Sequence, residues 1–198
     1  MDVSHDELSD RAIVVLKTGG VIVLPTETAY GLAADATNAE ALDRVIAIKG
    51  RDAGKTPPLI VATIEMAEYY MVLPPLLRAL ADRYWPGPLT IVGKAKGTGL
   101  SKQVIHEDGT IAVRVSSHPI ARQLSLQLGL PIVATSANLS GESACYSAED
   151  VRKQFEHQRI QPDFYVDMGI IPFELPSTLV KEEEGKIVVL RQGSIHLE

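Results

Sequence analysis

Short β-branched apolar runs, most of them bounded by prolines, glycines or hydroxyls, recur along this chain and leave few folds open to it. Val21–Leu24 ends at Pro25, Leu59–Ala62 follows Pro57-Pro58, and Leu89–Val92 follows the turn Trp85-Pro86-Gly87-Pro88. Ile111–Val115 and Ile132–Ala134 come next, and Asp163–Asp167, Ser177–Val180 and Ile187–Arg191 close the chain. Such runs read as buried strands. The last two flank "KEEEGK" (Lys181–Lys186), a solvated hairpin loop. Between the strands lie helical signals. Thr37 with Glu40 forms a capping box ahead of Leu42, Val45 and Ile46, and Gly50 suits the left-handed position past Lys49. Two helices follow Ala62, the second from Pro74 with Leu76, Leu77 and Leu80 inward. Pro119 opens a helix that Gly129 closes, and Ser147 with Asp150 starts another. "PTETAYGL" (Pro25–Leu32) reads as a polar loop. Strands and helices interleave without strict alternation, and the end of the chain favours hairpins. The pattern predicts an α/β fold: a single domain over 1–198 with a twisted sheet, mixed parallel and antiparallel, flanked by helices.

The 198 residues and 45% hydrophobic content allow one sizeable core. No apolar run approaches the ~20 residues of a membrane-spanning helix, and the acidic, polar start "MDVSHDELSD" resembles no targeting peptide. A single cysteine excludes an internal disulfide and suits the cytoplasm. No Cys/His pair has metal-ligand spacing, so no protein-held metal site is expected. A net charge of −6 argues against broad, sequence-independent nucleic-acid binding, although a local basic patch stays open.

Two polar stretches carry the chemistry. "IVATSANLSG" (Ile132–Gly141) runs from an apolar strand straight into hydroxyls, an amide and a glycine. Those residues serve turns and caps for local reasons, or they hold a polar ligand. "KGRDAGKT" (Lys49–Thr56) imitates a phosphate-binding P-loop, but only Arg51, Asp52 and Ala53 lie between its glycines, and a helix precedes it where a strand is needed. Its cations Lys49, Arg51 and Lys55 form either a solvated basic loop or an anion site. Arg114, inside the strand "TIAVRVS", reaches solvent or pairs with a carboxylate. Ligands of open α/β sheets sit beyond strand ends. Polar clusters at three strand ends, beside a loop of cations, suit a ligand with an anionic part and a hydrogen-bonding part, such as a nucleoside triphosphate.

In order, "LPTETAYGLAADATN", "IKGRDAGKTPPLIV", "WPGPLT", "AVRV", "IVATSANLSG", "PSTLV" and "VLRQGSI" resemble the motifs of the YrdC-type threonylcarbamoyl-AMP synthases, from about Val21 to Ile195. The resemblance includes the K-x-R pair Lys49/Arg51 and the S-x-N pair Ser136/Asn138. It implies a YrdC-like fold with a concave ligand face. It also implies formation of threonylcarbamoyl-adenylate and pyrophosphate from L-threonine, bicarbonate (or carbon dioxide) and ATP, with Mg²⁺ accompanying the nucleotide. The product would serve N6-threonylcarbamoyladenosine formation in tRNA, which makes tRNA and the threonylcarbamoyl-transferring complex the expected partners. By the same resemblance, Lys49 and Arg51 are the catalytic cations and hold ATP with Ser136, Asn138, Ser140, Ser177 and Arg191. Thr26, Tyr30, Lys55, Arg114 and Ser136 face threonine and bicarbonate.

Asp52 stands where many members carry proline, Pro57-Pro58 is doubled, and Lys181 replaces a common aspartate. The longer subgroup's additional C-terminal domain is not expected here, which makes this the compact form. Two other readings are an RNA-binding relative without synthase activity and a stand-alone relative of the carbamoyl-transferring domain of hydrogenase maturation.

Overall fold

Side-chain alternation along the strands divides this protein into a closed and an open side. A computed structural model describes residues 5–50, 56–97 and 99–197. Its strands are β1 (Ile22–Pro25), β2 (Tyr30–Asp35), β3 (Leu59–Val61), β4 (Leu89–Lys94), β5 (Thr110–Val115), β6 (Ile132–Ser136), β7 (Phe164–Tyr165), β8 (Thr178–Glu183) and β9 (Lys186–Arg191). They form one sheet in the order β7-β1-β2-β6-β3-β5-β4-β8-β9. β1–β7, β3–β5 and β4–β8 pair in parallel and the other neighbours antiparallel, so the sheet is mixed as the sequence implied. The helices are α1 (His5–Lys17), α2 (Ala39–Lys49), α3 (Ile64–Tyr70), α4 (Pro75–Tyr84), α5 (Pro119–Leu128) and α6 (Ala148–Phe155).

Residues paired across neighbouring strands share a face. One parity carries Leu32, Leu59, Ile91, Val113, Val133 and Val180, which pack in one cluster with buried residues of α2, α3, α4 and α6. The other carries Ile22, Leu24, Ala33, Ile60, Ile132 and Ala134, which α1 and α5 cover through Ala12, Leu16, Ile120 and Leu124. Along that same second face, β5 presents Ala112 and Arg114, β4 presents Thr90 and Val92, and β8 presents Leu179 and Lys181. These line a cavity instead of packing under a helix. Half of one sheet face is therefore left open.

Several sequence expectations shift. The capping residue of α2 is Asn38 and not Thr37: Asn38 Oδ1 accepts from the Ala41 N–H at 3.0 Å, while Thr37 donates to Asp35 Oδ1 through both its N–H and its hydroxyl. Asn38 is extended and the earlier Thr37 is already engaged in that Asp35 turn, so the cap falls one residue later. The stop is as expected, with Gly50 left-handed at φ 58°. β2 occupies part of the stretch read as a loop. Tyr-Gly-Leu-Ala-Ala-Asp has weak strand propensity, but it is paired on both sides and buried. Leu76 is 44% exposed and faces away from the core, whereas Leu77 is buried. Only Phe164 and Tyr165 of the run 163–167 form the strand, and the Asp163 carboxylate ahead of it accepts from the Val21 N–H and from Arg44. Burial pushes the pKa of Asp163 up, and those bonds outweigh it and hold the pKa below the ordinary carboxylate value. β8 runs on to Glu183, and "KEEEGK" makes a two-residue turn with Glu184 at φ 50° and Gly185 at φ 73°.

α1 has no counterpart in the sequence reading. Its acidic start hides a narrow stripe, Leu8-Ala12-Leu16 at a spacing of four, that seats it against α5 and the sheet.

Asn38→Ala removes the cap of α2 and is expected to cost about 1 kcal/mol. A thermal melt should show the midpoint lowered by about 2–4 °C.

Candidate active site

The buried face of α2 follows helical periodicity through Leu42, Val45 and Ile48 and ends on Lys49, which is only 5% exposed. An ammonium in a core-facing position needs oxygen partners, and the end of β6 supplies them. Lys49 Nζ donates to the Ser136 carbonyl and to the Asn138 carbonyl at 3.1 Å, with Ser136 Oγ at 3.4 Å and Asn138 Oδ1 at 3.5 Å. The Lys49 carbonyl in turn accepts from the Ser140 N–H at 3.0 Å, so the loop after β6 clasps the helix end from two directions. Asn138 shapes that loop: its amide donates to the carbonyls of Leu139 and Glu142, both at 2.8 Å.

Lys49, Ser136, Asn138 and Ser140 line one wall of a cavity of about 640 Å³. Arg114 and Arg191 line another part of the same cavity, with Ser177 and Thr90. Arg191 donates through Nε and Nη2 to the Ser177 carbonyl at 3.1 and 2.8 Å, and through Nη2 to Ser177 Oγ at 3.0 Å. Ser177 Oγ also shares a 2.7 Å hydrogen bond with Thr90 Oγ1. Partial burial and the nearby positive charge of Arg114 pull Arg191 below the ordinary arginine value. Arginine stays charged regardless, so the shift records first the burial of Arg191 and second a neighbouring cation in Arg114. Among the described residues, the cavity lining gathers four cations, Lys49, Arg114, Lys181 and Arg191, against two carboxylates, Asp108 and Glu174, beside several hydroxyls, a lining suited to an anionic ligand.

Arg114 resolves the choice left by the sequence. It is 7% exposed and its Nη1 donates to a carboxylate, Glu27, at 2.7 Å and to Thr28 Oγ1 at 3.4 Å. Burial pushes the guanidinium down and Glu27 opposes it. Glu27 was not singled out in the sequence. A strand arginine demands an acid, but spacing cannot say which of 25 acidic residues will answer.

Thr26 and Tyr30 lie at the cavity too, and both are tied into the fold. Thr26 Oγ1 donates to the Ala29 carbonyl at 2.7 Å and accepts from the N–H groups of Thr28 and Ala29, closing the β1–β2 turn. The Tyr30 side chain is fully buried. Its hydroxyl donates to the Gly169 carbonyl at 2.8 Å and accepts from the Met168 N–H at 3.0 Å. Tyr30 thus borders the cavity without a free hydroxyl to offer it. Arg51 and Lys55 lie outside the described residues.

Comparison with known proteins follows from this geometry. The sequence model of the Sua5/YciO/YrdC family, described as telomere recombination, matches residues 14–193. The chain belongs to this family. It is 40% identical to a threonylcarbamoyl-AMP synthase of Thiobacillus denitrificans, over 87% of this chain and 90% of that one. It is 36% identical to a threonylcarbamoyl-AMP synthase of Psychromonas ingrahamii, over 92% and 95%. The crystal structure of P. abyssi Sua5 complexed with L-threonine superposes with a TM-score of 0.87 at 31% identity, covering 98% of this chain and 56% of that longer one. Family membership thus agrees with the motifs "AVRV" and "IVATSANLSG", whose Arg114 and Ser136 meet at one cavity.

The chain's single cysteine, Cys145, is buried between Ala144 and Tyr146, two residues of the cavity lining. Burial, and secondarily Asp150, push the Cys145 thiol up to about 11 from its ordinary 9.0, with Lys49 opposing. Only the thiolate is nucleophilic. Alkylation by iodoacetamide at pH 8 is therefore expected to be at least about 100-fold slower in the folded than in the unfolded protein. The raised value stabilises the fold fully below about pH 9, and that contribution should fade as pH rises towards 11. Denaturant titrations of the wild type and Cys145→Ala across this range check the sign.

Proposed function

We propose that the protein is a threonylcarbamoyl-AMP synthase, converting L-threonine, bicarbonate (or carbon dioxide) and ATP into L-threonylcarbamoyladenylate and pyrophosphate. One observation carries this reading: the Lys49 ammonium converges with Ser136 and Asn138 on a cavity that also holds Arg114 and Arg191. The threonine amine takes up the one-carbon unit as a carbamate, forming an N–C bond with loss of water from bicarbonate or, from carbon dioxide, with release of the amine proton to solvent. A carbamate oxygen then attacks the α-phosphorus, and the bond to the β-phosphate oxygen breaks as pyrophosphate leaves. Such chemistry depends on positioning and on neutralising phosphate charge more than on covalent work by the protein.

In this reading Lys49 and Arg51 neutralise the triphosphate. Ser136 and Ser140 bind it through their hydroxyls, with Asn138 holding the loop that aims them. Ser177 and Arg191 bind the nucleotide at the β8–β9 side. Arg114 takes the threonine carboxylate on its unengaged edge, since a guanidinium fork matches a carboxylate in geometry and charge. Thr26 and Tyr30 shape the amino-acid end, and Lys55 serves the threonine or bicarbonate side. Mg²⁺ would enter on the phosphates, largely hydrated. Asp108 and Glu174 line the cavity, but among the described residues no three carboxylate, imidazole or thiol groups come together, which suits an ion held by the nucleotide's own oxygens. The adenylate would then pass, in the cytoplasm, to the complex that threonylcarbamoylates tRNA.

Purified protein is expected to release pyrophosphate only with ATP, threonine and bicarbonate together. Lys49→Ala should lower kcat/KM for ATP by about 10²–10³-fold. Pyrophosphate release that persists without threonine overturns the reading.

A further inference from the structure

Glu27 has a place in this site that its sequence position does not announce. It lies on the β1–β2 turn and reaches across to the end of β5, where it meets Arg114 within the strand and Ser116 just beyond it. Glu27 Oε1 accepts from Arg114 Nη1 at 2.7 Å, and Oε2 accepts from the Ser116 hydroxyl. Ser116 is fully buried, and its oxygen also accepts from the His118 N–H at 3.2 Å. Each carboxylate oxygen is thus engaged by a different side chain, one in β5 and one just past it, and the carboxylate cannot rotate without losing one of them.

Position relative to the cavity decides what this clamp does. Arg114 and Thr28 line the cavity, whereas Glu27 and Ser116 do not. The carboxylate therefore stands behind the guanidinium and does not occupy the ligand's place. Among the described residues, the hydrogen-bond partners of Arg114 all lie on Nη1, which leaves the Nη2–Nε edge for an incoming group. An arginine on an open sheet face, with another cation in Arg191 nearby, would otherwise swing among rotamers and be repelled.

We propose that Glu27 is the positioning residue of the amino-acid subsite: it locks the Arg114 fork with its Nη2–Nε edge turned to the cavity, ready for the carboxylate of the amino-acid substrate. The inference rests on the reading of Arg114 given above. Glu27 acts through Arg114 and touches no reacting atom. Its loss should weaken amino-acid binding and leave the nucleotide end, built around Lys49 and Ser136, in place.

The test is steady-state kinetics of pyrophosphate release, with Glu27→Gln, Glu27→Ala, Arg114→Ala and the Glu27→Ala/Arg114→Ala pair, each checked for folding by circular dichroism and thermal melt. Glu27→Gln keeps the size of the side chain and guards against an unfolded alanine variant. It is expected to raise the threonine KM about 10–100-fold, the scale of a misplaced reactant, with the ATP KM within about 3-fold. The double variant should be no worse for threonine than Arg114→Ala alone, because the two residues act as one unit. A merely structural role would instead lower the melting point, change both KM values alike and add to the Arg114 effect. A folded Glu27→Gln with an unchanged threonine KM overturns the proposal, as does additivity in the double variant. If Arg114→Ala itself leaves the threonine KM unchanged, the reading of Arg114 fails instead, and the proposal with it.

Discussion

A lysine ammonium buried at the end of a helix has to be met by oxygens, and that demand organises this protein. Lys49 continues the core-facing stripe of α2 past the point where the sheet can offer apolar surface. The last residues of β6 meet it with two carbonyls and, a little farther off, a hydroxyl and an amide oxygen. The same contact fixes the loop 137–142 through the Lys49 carbonyl and through the Asn138 amide. Fold and site share these bonds. A buried charge without them would cost several kcal/mol, so the helix end and the strand end come together for stability, and their meeting also places a cation and hydroxyls at a cavity wall.

The cavity itself follows from incomplete coverage of the sheet. α1 and α5 cover β1, β2, β3 and β6 on one face and stop short of β4, β5 and β8. Residues of that parity change in character across the boundary. Ile60 and Ile132 lie under helices, whereas Arg114, the register partner of Ile60, and Thr90 and Lys181 farther along the same face line the cavity. The polar pattern on β4, β5 and β8 is thus the signature of a face that no helix buries.

Charge in the cavity is arranged so that cations coexist. Arg191 is anchored on Ser177, Arg114 on Glu27, and Lys49 on the β6 loop. Each has an oxygen partner of its own, and each still borders the shared space. Preorganised cations of this kind need no rearrangement when an anion arrives.

Much of this was legible in the chain. The β-branched runs, the Pro119-to-Gly129 helix and the Ser147 cap are local signals, and they hold in the structure because nothing tertiary opposes them. The motifs around Lys49, Ser136 and Arg114 could be read as chemistry because polar residues interrupt apolar runs there. β2 and α1 were not legible: small residues and a narrow stripe acquire their structure from the neighbours that bury them. Neither was Glu27, one acid among many until the β1–β2 turn brings it beside β5. The sequence by itself determined which residues are apolar, which are charged, and at what period they recur, and so the element types and the chemical repertoire of the site. Only the tertiary structure decided which half of the sheet stays uncovered and which acid meets which base. Those choices depend on contacts between residues 87 positions apart, such as Glu27 with Arg114 and Lys49 with Ser136, and no local rule reaches that far.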